Sequence, residues 1–135
     1  MTLVDTSAWV EFLRATGSDV HHELRRLLDS ETTLHTTDVI VMEVLAGARD
    51  EPHLTKLRRL VSTTTFLPIN GLDDFERAAE LYRRCRRAGE TVRALNDCLI
   101  AAVALRSGVD VLAADRDFDV LARHSELQLH PPATA

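Results

Sequence analysis

Two acidic side chains occupy positions of this sequence where apolar residues are expected. In the stretch LNDCLIAAVAL (residues 95–105), Asp97 is followed one helical turn later by Ile100 and Ala101, so its carboxylate lies along an apolar stripe. Glu43 interrupts the apolar run VIVMEVLA in the same way. Because acidic side chains are rarely buried without a partner, both carboxylates require an explanation.

Further acids follow short apolar runs that are typical of buried strands. Asp5 ends the run TLV, Asp115 ends VDVLAA, and Asp117 comes two residues later. Each acid also has a purely structural interpretation. The strand-end acids are suitable helix N-caps, and Glu43 and Asp97 are suitable partners for buried arginines.

The joint pattern favours a metal site over these separate explanations. If Asp5, Glu43, Asp97 and Asp115 converge, their like charges repel one another and raise some of their pKa values. A bound divalent cation relieves that repulsion, and ligands that are all oxygen favour Mg²⁺ or Mn²⁺ over zinc. Mg²⁺ held by carboxylates and substrate phosphates is typical of phosphodiester cleavage.

The elements that must position these acids alternate between strand and helix, which predicts an α/β fold with a central parallel sheet and helices on both faces. In such sheets, ligands bind at the carboxyl ends of the strands. The predicted strands are 2–5, 32–37, 65–69 and 109–115, with a further candidate at 127–130. The predicted helices are 6–15, 19–30, 38–48, 53–62, 73–89, 93–108 and 118–124.

Composition restricts the class of protein. The 135 residues suffice for one domain with a single core, and no apolar run approaches the roughly 18 residues of a membrane span. The N-terminal stretch lacks the features of a signal peptide, which favours the cytoplasm. Cys85 and Cys98 do not make a disulfide framework; Cys98 is expected in the core and Cys85, among arginines, at the surface.

The formal charge of −5 argues weakly against nucleic acid as a partner, although two bound Mg²⁺ ions would offset most of it. Lys56 is the only lysine, so almost all the cations are arginines, the better bidentate ligands of phosphate. The run YRRCRRAGETVR (residues 82–93) holds five of them. A solvated helix face and a phosphate-binding surface remain equally good interpretations of that run.

Four segments together resemble the PIN-domain ribonucleases, and most closely the VapC-type toxins of bacterial toxin–antitoxin modules. They occur in the order and spacing of that family and span most of the chain: LVDTSAWVEFL, VIVMEVLAGA, GETVRALNDCLIAAVAL and VLAADRDFDVLAR. One departure is Ala113, where the family often has Thr.

The resemblance implies a three-layer α/β/α PIN-like fold with a central parallel sheet, formed as a single domain over residues 1–135, and a metal-dependent RNA endonuclease. Asp5, Glu43, Asp97 and Asp115 match the family's acidic catalytic positions. Our hypothesis is that Asp5, Asp97 and Asp115 hold one Mg²⁺ (Mn²⁺ is a substitute), while Glu43 completes that site or holds a second ion. Asp117 and Thr6 are further candidates at the site.

The resemblance also implies partners. Relatives are usually homodimers, are neutralised by a VapB-type antitoxin encoded beside them, and cut structured RNA, often tRNA, which inhibits translation and growth. In the expected mechanism the metal lowers the pKa of a water that attacks the phosphate in line, leaving 5′-phosphate and 3′-hydroxyl ends. Arg93 and Arg116 are candidates for holding the phosphate backbone, and pairing with a nearby acid is an equally good interpretation of each.

Two other functions are open at this stage. One is a Mg²⁺-dependent aspartyl phosphatase or phosphoacceptor domain, but these usually need a lysine near the phosphoryl group, and Lys56 is far in sequence from the predicted strand ends. The other is a non-catalytic PIN-like module that binds RNA or protein. A module of that kind gains nothing from a costly cluster of buried charges.

Overall fold

The computed structural model describes residues 1–132, so the last three residues of the expected domain lie outside the described part. Four strands form one parallel sheet in the order β3-β2-β1-β4: β1 (Thr2–Val4), β2 (Leu34–Thr36), β3 (Thr65–Phe66) and β4 (Asp110–Leu112). The helices are α1 (Thr6–Leu13), α2 (Asp19–Leu28), α3 (Asp38–Ala46), α4 (Glu51–Val61), α5 (Gly71–Arg87), α6 (Leu95–Ser107) and α7 (Asp117–Arg123). The predicted three-layer α/β/α architecture with a central parallel sheet is confirmed.

Burial follows the apolar pattern of the sequence. Strands β1 and β2 are buried along their whole length, as expected for the interior of a parallel sheet. Helix α6 is apolar on nearly every side, and its residues 97–104 are all buried. It ends at Gly108, which adopts the left-handed conformation (φ 66°) that glycine enters without steric cost.

Several element boundaries differ from the prediction. Helix α4 begins two residues early because the side chain of Asp50 accepts a hydrogen bond from the His53 amide at 2.8 Å and caps its N-terminus. Strand β3 has only two residues, both exposed, at the edge of the sheet. The candidate strand at 127–130 is reduced to one parallel bridge between Val111 and Leu129.

The expected surface position of Cys85 is wrong. Its side chain is buried because α5 presents Asp74, Ala78, Leu81 and Cys85, which recur at helical spacing, to the interior. The arginines around it lie on the other sides of the helix. Within residues 1–132, no helix combines the length and the apolar character needed to span a membrane.

Candidate metal centre

The strand-end acids meet at the carboxyl ends of the parallel strands. Asp5 directly follows β1, and Asp115 follows β4 by three residues. Because β1 and β4 are parallel neighbours, both acids leave the sheet on the same side, and the Asp5 amide donates to the Leu112 carbonyl at 2.9 Å. The sheet therefore brings together two acids that are 110 residues apart in the sequence.

Ser7 links these two strand ends. Its hydroxyl donates to Asp5 Oδ2 at 2.6 Å and accepts from the backbone amides of Ala114 and Asp115 at 2.9 and 3.2 Å. The Ser7 amide also donates to Asp5 Oδ2, at 3.0 Å, so Asp5 is the N-cap of α1 as well as a candidate ligand. Ser7 is a site residue that was not predicted; its only signal in the sequence is its position two residues after a strand-end acid.

The second oxygen of Asp5 has no such partner. Oδ1 is buried and accepts no hydrogen bond from any described residue. Burial and, to a smaller extent, the charge of Glu43 raise the pKa of Asp5 to about 6 against the opposing effect of the Ser7 hydrogen bonds. The site thus holds an acceptor that the described residues leave unsatisfied, which is costly unless a ligand supplies the partner.

The helix acids enter the site from α3 and α6. Glu43 is half-buried, and its Oε1 accepts a hydrogen bond from the Thr6 hydroxyl at 2.9 Å. Asp97, in the first turn of α6, is 8% exposed, and its Oδ2 is buried without a hydrogen-bond partner among residues 1–132. Asp97 Oδ2 therefore does not pair with a buried arginine, which was the structural interpretation of this residue.

Asp97 experiences the combined charge of the site. Burial and, to a smaller extent, the charges of four neighbouring acids together raise its pKa to about 8; these acids are Asp5, Asp115, Asp117 and Glu43. All the acids singled out in the sequence are thus close enough to act on one carboxyl group. Their convergence, expected from the sheet topology, is found in the structure.

Three of these acids come close enough to share one ion. Asp97, Asp115 and Asp117 each offer an oxygen, and the three oxygens lie within 4.8 Å of one another. Asp117 belongs to this group and Asp5 does not, although the sequence favoured Asp5 as the third ligand. The ligands are all oxygen and include a buried unpaired atom, so the group fits a hard divalent cation.

Arg93 supplies positive charge to this group of acids. Its Nη2 lies 3.2 Å from Asp115 Oδ1, and its Nε lies 3.4 Å from Asp117 Oδ1. Its backbone amide donates to Asp117 Oδ2 at 3.1 Å. For Arg93, the structure thus contains the acid pairing that the sequence left open.

An open groove runs beside the acids. It has a volume of about 790 Å³, and its lining combines hydroxyl, acidic and guanidinium groups: Thr6, Ser7, Glu11, Arg93, Asp115 and Arg116. Arg116 is exposed at the start of α7. The groove therefore places two cations and two hydroxyl groups next to the acid cluster, where an extended anionic chain has room to lie.

Comparison with known proteins adds independent information. The family described as "PIN domain" matches residues 2–124. Ribonuclease VapC11 of Mycobacterium tuberculosis (strain ATCC 25618 / H37Rv) and VapC ribonuclease Mb1587 of Mycobacterium bovis are each 51% identical to this chain over 129 residues, which cover 95% of it and 96% of theirs.

Solved structures share the fold at low sequence identity. Mycobacterium tuberculosis VapC20, described as a sarcin–ricin loop cleaving toxin, superposes with a TM-score of 0.70 at 22% identity, covering 95% of this chain and 99% of its own. VapBC2 from Rickettsia felis, bound to a DNA fragment from its promoter, gives a TM-score of 0.75 at 18% identity, with 96% of each chain covered.

Proposed function

Because the chain belongs to the PIN-domain family and, within it, to the VapC ribonucleases, we propose that it is the Mg²⁺-dependent endoribonuclease toxin of a VapBC-type pair. The resemblance stated from the sequence is confirmed at the level of the family. The observation that carries the proposal is the cluster of converging carboxylates with buried, unpaired oxygens on Asp5 and Asp97. Structured RNA, with tRNA as one candidate, is the proposed substrate.

The proposed metal ligands follow from the distances. Asp97, Asp115 and Asp117 would hold one Mg²⁺, and Mn²⁺ is a suitable substitute. Asp5 and Glu43 flank that group and would complete the site or contribute to a second one. A cation bound there would lower the pKa of a water molecule and polarise the scissile phosphate.

The chain's own residues have separate tasks in this mechanism. Ser7 holds Asp5 against the end of β4, which fixes the direction of the free Oδ1 atom. The Thr6 hydroxyl orients Glu43 through its 2.9 Å hydrogen bond. We assign Arg93 and Arg116 to the RNA backbone, since both line the groove and guanidinium groups bind phosphate bidentately. For Arg93, this requires release from its two acids when a cation takes over their charge.

The two alternative functions have less support. A phosphoryl-transfer domain usually needs a lysine near the strand-end acids. The only lysine, Lys56, is exposed in the middle of α4 and forms no ion pair with any residue of 1–132. A binding module without catalysis would retain unsatisfied buried carboxylates at a cost to stability and with no function for them. The 51% identical relatives are named as ribonucleases, which favours the catalytic function.

We extend the proposal to the organisation and partners of the protein. The whole chain is proposed to be one PIN domain that acts in the cytoplasm as a homodimer. A VapB-type antitoxin is the proposed inhibitor, which agrees with the VapBC complex among the structures of the same fold. Release from the antitoxin is expected to inhibit translation and growth.

Incubation of the purified full chain with a pool of cellular RNA tests the proposed activity. We expect cleavage that requires Mg²⁺ or Mn²⁺, leaves 5′-phosphate and 3′-hydroxyl ends, and is lost in Asp97→Asn. Asp19→Asn is the matched control, because it makes the same chemical change in the first turn of α2, where the acid is exposed. Products with 2′,3′-cyclic phosphates, or cleavage in EDTA, would refute the mechanism. RNA binding without cleavage would favour the binding module.

A further inference from the structure

We propose that the last two turns of α5 carry a second RNA contact, in which Arg83, Arg86 and Arg87 (the α5 arginine patch) hold backbone phosphates of the RNA whose scissile bond lies at the acid cluster. This inference rests on the proposed ribonuclease function. It concerns the run of arginines that the metal centre itself does not use.

The patch lies at the end of the helical layer that carries the metal centre. The ion pair between Asp74, near the start of α5, and Arg106, near the end of α6, fixes these helices antiparallel. Residues 88–94 connect them, so the last turn of α5 lies beside the first turn of α6, which contains Asp97.

The three arginines of the patch form no ion pair within residues 1–132. All three are exposed, and none forms a salt bridge with another described residue. The neighbouring arginines differ in this respect, because each is bound to an acid: Arg84 to Glu80, Arg93 to Asp115 and Asp117, and Arg123 to Glu90. The patch therefore offers cations that no acid in the described part of the chain neutralises.

Positive charge is concentrated around the α5 arginine patch, although the net charge of the chain is negative. Residues 82–93 contain five arginines and one glutamate, a net charge of +4 in a protein whose total is −5. Arg86 and Arg87 lie in the last turn of α5, where cations stabilise a helix C-terminus, but Arg83 lies before that turn and outside the range of the effect. Arginines spaced three and four residues apart repel one another on a helix surface. Helix stability alone therefore does not account for the patch, whereas an anionic partner does.

RNA suits this surface better than a compact anion does. The guanidinium of Arg86 stacks over the Tyr82 ring at 5.6 Å, and planar aromatic and guanidinium groups are the surfaces on which unpaired bases stack. Arg87 and Arg93 are six residues apart, so their Cα atoms are separated by at most about 20 Å, or about six nucleotides at 3.4 Å of axial rise. One RNA molecule can therefore reach both the patch and the groove.

The test compares two triple variants in binding to a short fluorescein-labelled stem-loop RNA. The first changes Arg83, Arg86 and Arg87 to Gln. The control changes Arg25, Arg58 and Arg59 to Gln; these arginines are exposed, form no salt bridge within residues 1–132, and lie in the last turns of α2 and α4. Those turns precede β2 and β3, so they lie at the amino ends of the strands, whereas the acids lie at the carboxyl ends. All proteins carry Asp97→Asn, so that RNA is bound without being cut.

We expect the patch variant to lose about a hundredfold in affinity at about 0.1 M salt, and the slope of log K against log salt to fall by about 2, since each lost single-strand phosphate contact is worth about 0.7. The control variant should match the parent within about threefold. Changing the three patch residues to Lys should retain most of the slope, because lysine also binds phosphate as a point charge. With Asp97 intact, the patch variant should show a raised KM and an unchanged kcat.

The possible failures are distinguishable. Equal affinity and slope in the patch and control variants would overturn the patch while leaving the ribonuclease proposal standing, provided that the protein with Asp97 intact cleaves RNA. Equal losses in both variants would show a non-specific charge effect and also overturn it. Retained RNA affinity together with lost binding of an acidic protein partner would reassign the surface to that partner. Absence of both RNA binding and cleavage in the unmodified protein would refute both proposals.

Discussion

Replacing Asp97 with Asn is expected to stabilise the protein when no divalent cation is bound. In the folded state the pKa of Asp97 is raised from 3.8 to about 8 by burial and by the surrounding acids. Between these two values the folded protein binds more protons than the unfolded chain does, so the free energy of unfolding decreases as the pH rises. Asn occupies almost the same space and carries no charge, so the variant does not incur this cost.

The magnitude follows from the interval between the two pKa values. At pH 7 the unfolded carboxyl is ionised and the folded one is mostly protonated. The difference of 3.2 units between pH 7 and the ordinary value of 3.8 corresponds to at most about 4 kcal/mol, at 1.36 kcal/mol per unit. For a protein of this size, that gain would raise the melting temperature by about 10 °C. At pH 4 the two proteins should have nearly equal stability.

Urea denaturation in EDTA at a series of pH values measures this difference. The wild-type protein should lose stability from about pH 4 to about pH 8, while Asp97→Asn should not show that component of the pH dependence. Asp19→Asn, in the exposed first turn of α2, should follow the wild-type curve. Adding Mn²⁺ should reverse the order, because binding stabilises the wild-type protein in proportion to the logarithm of the metal concentration.

Two results would refute this reasoning. If Asp97→Asn lowers the metal-free stability at pH 8, the carboxylate makes a favourable contact in the fold and is not held against repulsion. If Mn²⁺ stabilises both proteins equally, Asp97 is not a ligand, and the proposed metal centre is wrong.

Three other substitutions test single contacts. Arg93→Gln removes the guanidinium that binds two of the acids proposed to hold the cation, so calorimetry should show about threefold tighter Mn²⁺ binding. Weaker binding would mean that Arg93 organises the site instead of competing with the metal for it. Ser7→Ala removes the link between Asp5 and the end of β4, so it should lower the free energy of unfolding in urea by about 1–3 kcal/mol and weaken Mn²⁺ binding. Unaltered Mn²⁺ binding would show that Asp5 is positioned without the Ser7 hydroxyl. Arg106→Met leaves the buried carboxylate of Asp74 without its cation, so it should lower the free energy of unfolding by about 3 kcal/mol and leave Mn²⁺ affinity unaltered. A change in Mn²⁺ affinity would show that the α5–α6 contact positions the metal centre.

Much of the fold was predictable because it depends on local periodicity. Alternation of strand and helix predicted the parallel sheet, and the apolar residues around Glu43 and Asp97 predicted that both carboxylates face the interior. The short edge strand β3 and the single bridge at Leu129 were not predictable, since the extent of pairing depends on neighbours that are distant in the chain. Cys85 was misplaced because polar neighbours in sequence lie on other faces of the same helix.

The sequence by itself determined the membership of the protein in the PIN-domain family and the set of acids that meet at the strand ends. These follow from residue type and from the order of elements along the chain. Only the tertiary structure decided that Asp97, Asp115 and Asp117 form the closest group, that Ser7 occupies one oxygen of Asp5, and that Arg93 lies on two of the acids. These contacts depend on differences of one or two ångströms in the distances between side-chain atoms. Turns and packing between distant segments set those distances, which therefore have no signature in the local sequence.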